Sequence, residues 1–276
     1  MFFAIIGEGI ELMDEGGWYI RSGQPSIDRC SSLGSHKSGD KPAIVAQNLD
    51  WVNSIEGLGV IFRIKDPASG IEALVPSIAG VIGTCGLNQH AIGICTNALW
   101  RILNNSTDGL PVNFVVRAVL EMQNLDQMIT FLHDIQHASG ENYLIGDAER
   151  ALTFECSANK VAQYIPYEGA CNVYHTNHPL VNDDLQFPIT EIQRVGTSES
   201  RFDYLAFRLK KSAQPLTLDM AKSILSSHHG PVCAHHNFKP NSGFTANSVI
   251  YVLSENPELY ISNGPPCISG YEHFIF

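Results

Sequence analysis

The sequence contains little charge, and most of the charge that it has is negative. Charged residues make up 16% of the 276-residue chain, and 17 Lys and Arg against 28 Asp and Glu give a formal net charge of −11 at pH 7. Sequence-independent binding of nucleic acid depends on Lys and Arg contacts to phosphate, and anionic membrane surfaces attract basic protein faces. The acidic balance therefore argues against nucleic acid and membrane as partners.

Long apolar runs are absent too, since no stretch reaches the roughly 20 apolar residues that span a bilayer. The apolar start at residues 1–9 is too short for the core of a signal peptide, and no basic segment precedes it. The seven cysteines are an odd number and include no Cys-x-x-Cys pair, which favours free thiols over a disulfide framework or a zinc ribbon. We therefore expect a cytoplasmic protein.

What the chain does contain is an apolar fraction of 44%, which is typical of a buried globular core. Short apolar segments bounded by turn residues occur in runs, such as 42–51 and 71–78, and again over 142–165. Between these runs lie helical patterns with clear starts, such as Asn124 followed by Gln127 in the spacing of a capping box. Runs of strands separated by pairs of helices predict an α+β fold with antiparallel sheets.

Four polar clusters lie next to the apolar strands and are the candidates for a reactive site. Each by itself is typical of a turn or a strand end, because Ser, Asn and Asp hydrogen-bond the local backbone. The order in which they follow one another is more informative than any one of them. The clusters are Asp28-Arg29-Cys30-Ser31-Ser32, Gln47-Asn48-Leu49-Asp50-Trp51, Gly86-Leu87-Asn88-Gln89 and His175-Thr176-Asn177-His178-Pro179.

This order, completed by Ser200-Arg201-Phe202, resembles the cysteine N-terminal-nucleophile (Ntn) hydrolases, and most of all the acyl-coenzyme A:6-aminopenicillanate acyltransferase (isopenicillin N acyltransferase-like) family. The resemblance runs from about Cys30 to the C-terminus. It implies a four-layer αββα sandwich with two antiparallel sheets, formed by one domain of residues 30–276 behind a short pro-segment of residues 1–29. Gln47 stands where the related choloylglycine hydrolases carry Arg, which favours the acyltransferase branch.

The resemblance also implies self-cleavage at the Arg29–Cys30 bond. The freed α-amino group, with an ordinary pKa of about 7.7–8.0, would accept the proton of the Cys30 thiol, whose ordinary pKa is about 8.5. The thiolate would then attack N-acyl amides, including the side-chain amides of penicillin-like β-lactams, and form an acyl thioester. The implied function is hydrolysis or acyl transfer at non-peptide linear amide C–N bonds, with no cofactor and no metal.

Four further residues take roles that the resemblance implies. Asp50 would orient the amino group of the nucleophile, and Arg201 would hold its surroundings. The side-chain N–H of Asn177 and the backbone N–H of Asn88 would stabilise the oxyanion that forms on the attacked carbonyl.

Trp51 and Gln47 are the candidates for contacts to the substrate, which we expect to bind in an apolar pocket. The expected partners are a small acyl amide and, for acyl transfer, a coenzyme A thioester or an amine acceptor. A homo-oligomer is compatible with the sequence.

Two alternatives stay open. The junction residue Arg29 is larger than the small residue usual at this position in the family, which suits an uncleaved, non-catalytic relative that binds a small acyl ligand. A lipid amidase of the acid-ceramidase or choloylglycine-hydrolase type would use the same chemistry on long-chain N-acyl amides. The His and Cys residues of 228–236 are suitable ligands for zinc or copper, but a helix ending near His228 and a strand beginning near Val232 would point them apart, so no metal site is expected.

Overall fold

The computed structural model describes residues 29–99, 102–186, 197–210, 214–235 and 242–276. Residues 1–28, most of the predicted pro-segment, lie outside the described residues. The strands are β1 (Arg29–Ser35), β2 (Ala43–Val52), β3 (Gly59–Lys65), β4 (Glu72–Ile78), β5 (Gly86–Asn88), β6 (Gly93–Ala98), β7 (Glu141–Gly146), β8 (Ala151–Cys156), β9 (Val161–Tyr164), β10 (Asn172–His175), β11 (Gly243–Leu253), β12 (Glu258–Asn263) and β13 (Glu272–Ile275). The helices are α1 (Val112–Val119), α2 (Leu125–Asp134), α3 (Ser198–Lys210), α4 (Leu218–Leu225) and the single turn α5 (Pro266–Ser269), with a 3₁₀ turn at Asn53–Ile55.

The strands form two sheets in which all neighbouring strands are antiparallel. The first sheet has the order β10-β1-β2-β11-β12-β13, and the second has the order β3-β4-β5-β6-β7-β8-β9. β1 lies inside the first sheet, where Cys30 pairs with Leu49 of β2 and Ser32 pairs with His175 of β10. In the part of the chain that the structure describes, no helix has the length and apolar character needed to cross a membrane.

Three apolar clusters give the order of the layers. The cluster that contains Val45 and Leu144 lies between the two sheets. A second cluster, which contains Val116, joins the outer face of the second sheet to α1 and α2. A third, which contains Leu205, joins the outer face of the first sheet to α3 and α4. The sequence of layers is helices, sheet, sheet, helices, so the predicted α+β sandwich of the αββα type is confirmed.

The helix starts follow the capping signals of the sequence. Asn124 Oδ1 accepts the backbone N–H of Gln127 at 2.9 Å, and Gln127 Oε1 accepts the backbone N–H of Gln123 at 2.9 Å. At α4, Thr217 Oγ1 accepts the backbone N–H of Met220 at 3.3 Å. The bonds donated by Gln127 and Met220 satisfy helix N–H groups that have no partner within the helix.

β1 differs from the turn that its Cys-Ser-Ser sequence alone predicts, because this segment is a buried central strand. Ser31 and Ser32 are both completely buried. Ser32 Oγ donates to Asn97 Oδ1 at 2.6 Å, and Ser31 Oγ accepts from Arg201 Nη1 at 3.0 Å. Since distant side chains satisfy both hydroxyl groups, these small polar residues can lie inside a sheet.

Candidate active site

Cys30 lies in the interior of the first sheet and is only 4% exposed. Because β1 begins at Arg29, the Arg29–Cys30 peptide bond is itself part of the strand. Across the ladder to β2, Arg29 faces Asp50 and Cys30 faces Leu49. Side chains alternate along a strand, so Cys30 and Ser32 share the face on which Ser32 contacts the second sheet.

Two buried side chains from other parts of the chain hold the main chain of Cys30. Its N–H donates to Oδ1 of Asn177 at 2.8 Å. Its carbonyl oxygen accepts a hydrogen bond from Nη1 of Arg201. Nη2 of Arg201 also donates to Asn177 Oδ1, at 2.9 Å, so the three residues form one closed group. The structure thus brings together three of the residues that the sequence marks as site candidates.

Arg201 is 1% exposed although its guanidinium group carries a permanent charge. It projects from the first turn of α3, and its Nε donates to Thr197 Oγ1 at 3.0 Å. Its Nη1 reaches Ser31 Oγ as well as the carbonyl oxygen of Cys30. Hydrogen bonds from a charged donor are stronger than those between neutral groups. Arg201 therefore fixes the backbone of β1 against α3 at the nucleophile.

Asn177 has a different orientation from the one expected of an oxyanion donor. Its Oδ1 faces Cys30 and Arg201, and its Nδ2 donates to the carbonyl oxygen of Ala98 at 3.2 Å. Its backbone N–H donates to Ser198 Oγ at 2.8 Å. The side-chain oxygen of Asn177 thus accepts a hydrogen bond from the backbone of the nucleophile and positions it, and the role of its side-chain N–H toward an oxyanion stays a prediction.

Asp50 is 1% exposed and is oriented by β11. Its Oδ1 accepts a hydrogen bond from Thr245 Oγ1 at 2.7 Å, and the same hydroxyl group accepts the N–H of Ala234 at 2.9 Å. In the ladder Asp50 stands directly opposite Arg29, the residue before the nucleophile. This position suits a carboxylate that orients a freed α-amino group, and that role stays a prediction.

Asn88 does not join this group, and the role predicted for it is corrected. Its backbone N–H donates to the carbonyl oxygen of Ile92 at 2.9 Å. Its Oδ1 accepts the N–H groups of His90 and Ile92, and its Nδ2 donates to the carbonyl oxygens of Leu120 and Met122. Asn88 therefore shapes the turn between β5 and β6 and anchors the end of α1, and its N–H is not available to an oxyanion.

Gln47 and Trp51, the two predicted substrate contacts, have different positions. Gln47 is 1% exposed, and its side chain bonds the backbone of Thr96 through both polar groups, Nε2 to the carbonyl oxygen and Oε1 to the N–H. The prediction for Gln47 is corrected, because its side chain links the two sheets. Trp51 is half-buried and lines a cavity together with Cys30.

Two cavities lie on this side of the sandwich. The smaller has a volume of about 40 Å³, and its walls include Cys30, Trp51 and the buried Glu141, which the sequence reasoning missed. The larger has a volume of about 890 Å³ and lies among β3, β4, β11 and β12. Its walls include Phe244, the cross-strand partner of Trp51. A volume of this size is within the range of pockets that hold small ligands.

Asn97 of β6 is another polar residue that the sequence reasoning missed. It is completely buried, and its Oδ1 accepts hydrogen bonds from Ser32 Oγ at 2.6 Å and from Asn142 Nδ2 at 3.0 Å. Its Nδ2 has no hydrogen-bond partner among the described residues, which is costly for a buried amide. Its two neighbours along the chain line the cavity of the nucleophile. The signal in the sequence that could have identified it is an amide side chain within the short strand Gly93–Ala98.

A buried ion pair holds the loop that carries Asn177. His175 Nε2 lies 2.7 Å from Glu155 Oε1, and His175 Nδ1 lies 2.8 Å from the carbonyl oxygen of Thr176. Both partners can accept a hydrogen bond, so each ring nitrogen of His175 has a buried partner. Burial opposes ionisation of Glu155, but His175 and backbone N–H groups outweigh it and lower the pKa of the carboxyl group. Two of these N–H groups belong to Val181 and Asn182 in the same loop.

His178 is the uncharged histidine of this loop. Burial, together with the nearby charges of His175 and Arg201, lowers the pKa of His178 to about 4. Its Nδ1 lies 2.8 Å from Ser198 Oγ, the atom that accepts the backbone N–H of Asn177. Through this contact with Ser198 Oγ, His178 supports the position of Asn177.

The structure also corrects the expectation that the potential metal ligands after α4 point apart. Turns follow α4, and no strand begins at Val232 in the described residues. Nε2 of His228 lies 3.1 Å from Nε2 of His235, which lies 3.1 Å from Sγ of Cys267. Sγ of Cys233 lies 3.5 Å from Sγ of Cys267. The ligand atoms of these four side chains all lie within 4.8 Å of one another.

Comparison with known proteins adds to this geometry. A family model described as acyl-coenzyme A:6-aminopenicillanic acid acyl-transferase matches residues 36–256. A mutant of conjugated bile acid hydrolase from Clostridium perfringens is 13% identical with a TM-score of 0.58, and the match covers 89% of this chain and 92% of that one. A variant of the same hydrolase is 14% identical with a TM-score of 0.57, over 90% of this chain and 96% of that one. The N-acylethanolamine-hydrolyzing acid amidase ortholog of Caenorhabditis elegans is 15% identical with a TM-score of 0.56, over 81% of this chain and 92% of that one. No curated protein has a significant match to the chain. The likeness to the solved structures is one of fold.

Proposed function

Since the chain belongs to the acyl-coenzyme A:6-aminopenicillanic acid acyl-transferase family, we propose that it cleaves itself before Cys30 and then uses this residue to break linear amide bonds. Family membership confirms the predicted class, an amide hydrolase or acyltransferase. The proposal assigns the individual steps to residues and divides the chain into a pro-segment, residues 1–29, and a catalytic domain, residues 30–276.

The observation that supports this proposal is the pair of hydrogen bonds that fix the main chain of Cys30. Its N–H donates to Asn177, and its carbonyl oxygen accepts from Arg201. Both groups belong to Cys30 and not to Arg29, so both hydrogen bonds survive when the bond between the two residues is cut. The new α-amino group would therefore be in position as soon as it forms, and no further ordering would be needed.

Self-cleavage would proceed through a thioester. The Cys30 thiol attacks the carbonyl carbon of Arg29, the Arg29–Cys30 C–N bond breaks, and the freed nitrogen takes the thiol proton. Water then hydrolyses the thioester, which gives a carboxylate on Arg29 and regenerates the thiol.

Turnover would repeat this chemistry on an external amide. The α-amino group of Cys30 accepts the thiol proton, and Asp50, across the ladder, orients that group. The thiolate attacks the substrate carbonyl, the amine leaves with the proton, and the acyl group stays on sulfur. Water resolves the acyl thioester in hydrolysis, and an amine or the thiol of coenzyme A resolves it in acyl transfer.

Asn97 takes the place of Asn88 as the candidate donor to the oxyanion. Its Nδ2 is buried without a partner among the described residues, and its Oδ1 is held by Ser32, two residues after the nucleophile on the same strand face. Its side chain is therefore held against the face of β1 that carries Cys30, with Nδ2 free to donate. A donor of this kind contributes about 10²–10³ to the rate.

For the substrate we propose an N-acyl amide whose acyl group occupies the cavity of about 890 Å³. The walls combine apolar side chains such as Ile61, Ile261 and Phe244 with a few polar ones, as ligand pockets do. Two proteins of similar fold are named for the hydrolysis of conjugated bile acids and of N-acylethanolamines. Amides with extended apolar acyl groups are accordingly the first substrates to test, before penicillin-like β-lactams.

The experiment that tests the proposal is an intact-mass spectrum of the freshly purified full chain. We expect the wild type to contain a fragment that begins at Cys30, and the Cys30→Ala variant to stay whole. Cys171→Ser, which alters a half-buried thiol ahead of β10, is the matched control and should cleave like the wild type. Release of amine from N-acyl amides, with and without added coenzyme A, then separates hydrolysis from acyl transfer.

Cleavage at the same bond in Cys30→Ala would contradict the assignment of the nucleophile. An uncut wild-type chain that releases no amine would support instead the non-catalytic relative that binds an acyl ligand.

A further inference from the structure

We propose that His228, Cys233, His235 and Cys267 form a zinc site with a structural role. Two thiolates and two imidazoles are the ligand set of closed, four-coordinate zinc sites. Two thiolates also balance the charge of a divalent ion, so the filled site would be neutral. This inference is independent of the function proposed for Cys30.

Three of the six distances among the four ligand atoms are close to those of a tetrahedral site. Zinc–sulfur bonds of about 2.3 Å and zinc–nitrogen bonds of about 2.0–2.1 Å place neighbouring ligand atoms of a tetrahedron roughly 3.3–3.8 Å apart. The distances here are 3.5 Å between Sγ of Cys233 and Cys267, 3.1 Å between Nε2 of His235 and Sγ of Cys267, and 3.1 Å between Nε2 of His228 and of His235. Shifts of a few tenths of an ångström would bring these three distances to tetrahedral values, and all six lie within 4.8 Å.

The backbone holds the ligands before any ion binds. The N–H of Cys233 donates to the carbonyl oxygen of Ser227 at 2.9 Å and closes the turn that follows α4. Ala234 exchanges two hydrogen bonds with Thr245 of β11, one through its N–H and one through its carbonyl oxygen. The fourth ligand, Cys267, comes from α5, 34 residues farther along the chain. Preorganised ligands lower the entropy that binding must overcome.

A disulfide between Cys233 and Cys267 would not explain the cluster. Their sulfur atoms are 3.5 Å apart, whereas a disulfide bond is about 2.05 Å long. A disulfide would also leave the two imidazole groups unexplained, because His235 is in contact with Cys267 and His228 is in contact with His235. The convergence of all four groups points to a shared ligand.

The position of the cluster gives the metal a consequence for the site. His235 lines the cavity of about 890 Å³, and the residue after Cys267, Ile268, lines it too. Next to His235, Ala234 bonds the hydroxyl group that orients Asp50. An ion at the cluster would therefore lock the turn after α4 to α5 and hold one wall of the cavity in place.

The test is the metal content of the full chain, purified without a polyhistidine tag or a chelator from cells supplied with zinc. We expect about one zinc per chain by elemental mass spectrometry, and a loss of at least about tenfold in Cys267→Ser and in His228→Ala. The controls are His229→Ala, which changes the histidine next to the cluster, and Cys171→Ser; both should keep the wild-type content. Cobalt added to the apoprotein should give the visible absorption of tetrahedral cobalt and a thiolate charge-transfer band.

Three results would overturn the proposal. The first is wild-type protein that keeps no metal and gives no tetrahedral cobalt spectrum. The second is a Cys267→Ser variant that binds zinc like the wild type. The third is fresh protein lighter by two hydrogen atoms, with Cys233 and Cys267 joined in one cross-linked peptide. Because the readout is bound metal, the proposed amidase activity can fail without affecting this test, and the reverse also holds.

Discussion

His178 makes the stability of the chain depend on pH between about 6.5 and about 4. The ring is held uncharged in the folded protein, with a pKa of about 4, against an ordinary value of 6.5. The unfolded chain therefore binds a proton at this residue between pH 6.5 and pH 4, and the folded chain does not. The contribution of His178 to the free energy of unfolding is fully present above pH 6.5 and is lost as the pH falls toward 4.

The magnitude follows from the interval between the two pKa values. One pKa unit corresponds to about 1.4 kcal/mol, so the interval from 6.5 to about 4 removes about 3 kcal/mol from the free energy of unfolding. In His178→Asn this contribution should disappear, because Asn cannot titrate and its side-chain oxygen can still accept a hydrogen bond from Ser198.

The assay is denaturant unfolding of the wild type, of His178→Asn and of the exposed control His229→Asn at several pH values between 7.5 and 4. The quantity compared is the slope of the free energy of unfolding against pH, which removes any constant effect of the substitution. We expect the slope to fall in His178→Asn and to be unchanged in His229→Asn. Equal slopes in all three proteins would refute the reasoning that burial keeps this ring neutral.

Two further predictions concern the support of the nucleophile and the packing of a loop. Arg201→Met should lower the free energy of unfolding by about 3–5 kcal/mol, because it leaves the carbonyl of Cys30 and Asn177 Oδ1 buried without their charged donor; Arg208→Met on the same helix is the control, and similar losses in both would contradict the role of Arg201. Gly109→Ala should cost about 1–3 kcal/mol, since a Cβ there would lie 2.3 Å from the backbone carbon of His137. Gly59→Ala, with nothing closer than 3.9 Å, should be nearly neutral in the same unfolding assay.

The sequence predicts the architecture well because local signals agree with the tertiary fold. Asn124 and Thr217 cap helices as their side chains suggest, and the apolar segments pair as antiparallel strands. The local signals do not predict that β1 is a buried strand, because most of its residues are small or polar. Its burial depends on partners such as Arg201 and Asn97 that are far away in the chain.

The choice between two asparagines as the candidate donor to the oxyanion illustrates the same limit. Asn88 and Asn97 lie nine residues apart in one buried hairpin, and composition does not distinguish them. Asn88 bonds the end of α1, whereas Asn97 bonds Ser32 in the other sheet. Which of the two faces the nucleophile depends on how β5 and β6 meet the first sheet. The cluster around Cys267 likewise depends on where α5 packs, which no local pattern reveals.

The ion pair of Glu155 and His175 has a consequence for sequence change in this protein. Each residue alone would leave an uncompensated charge in a fully buried place, at a cost of about 3–5 kcal/mol, whereas two well-packed neutral residues would leave none. Neither position can therefore drift independently of the other. Because the pair also ties down the loop of Asn177, a compensated double substitution would keep the fold and still loosen the hold on the nucleophile. At this pair the fold would tolerate a change that the proposed catalytic site would not.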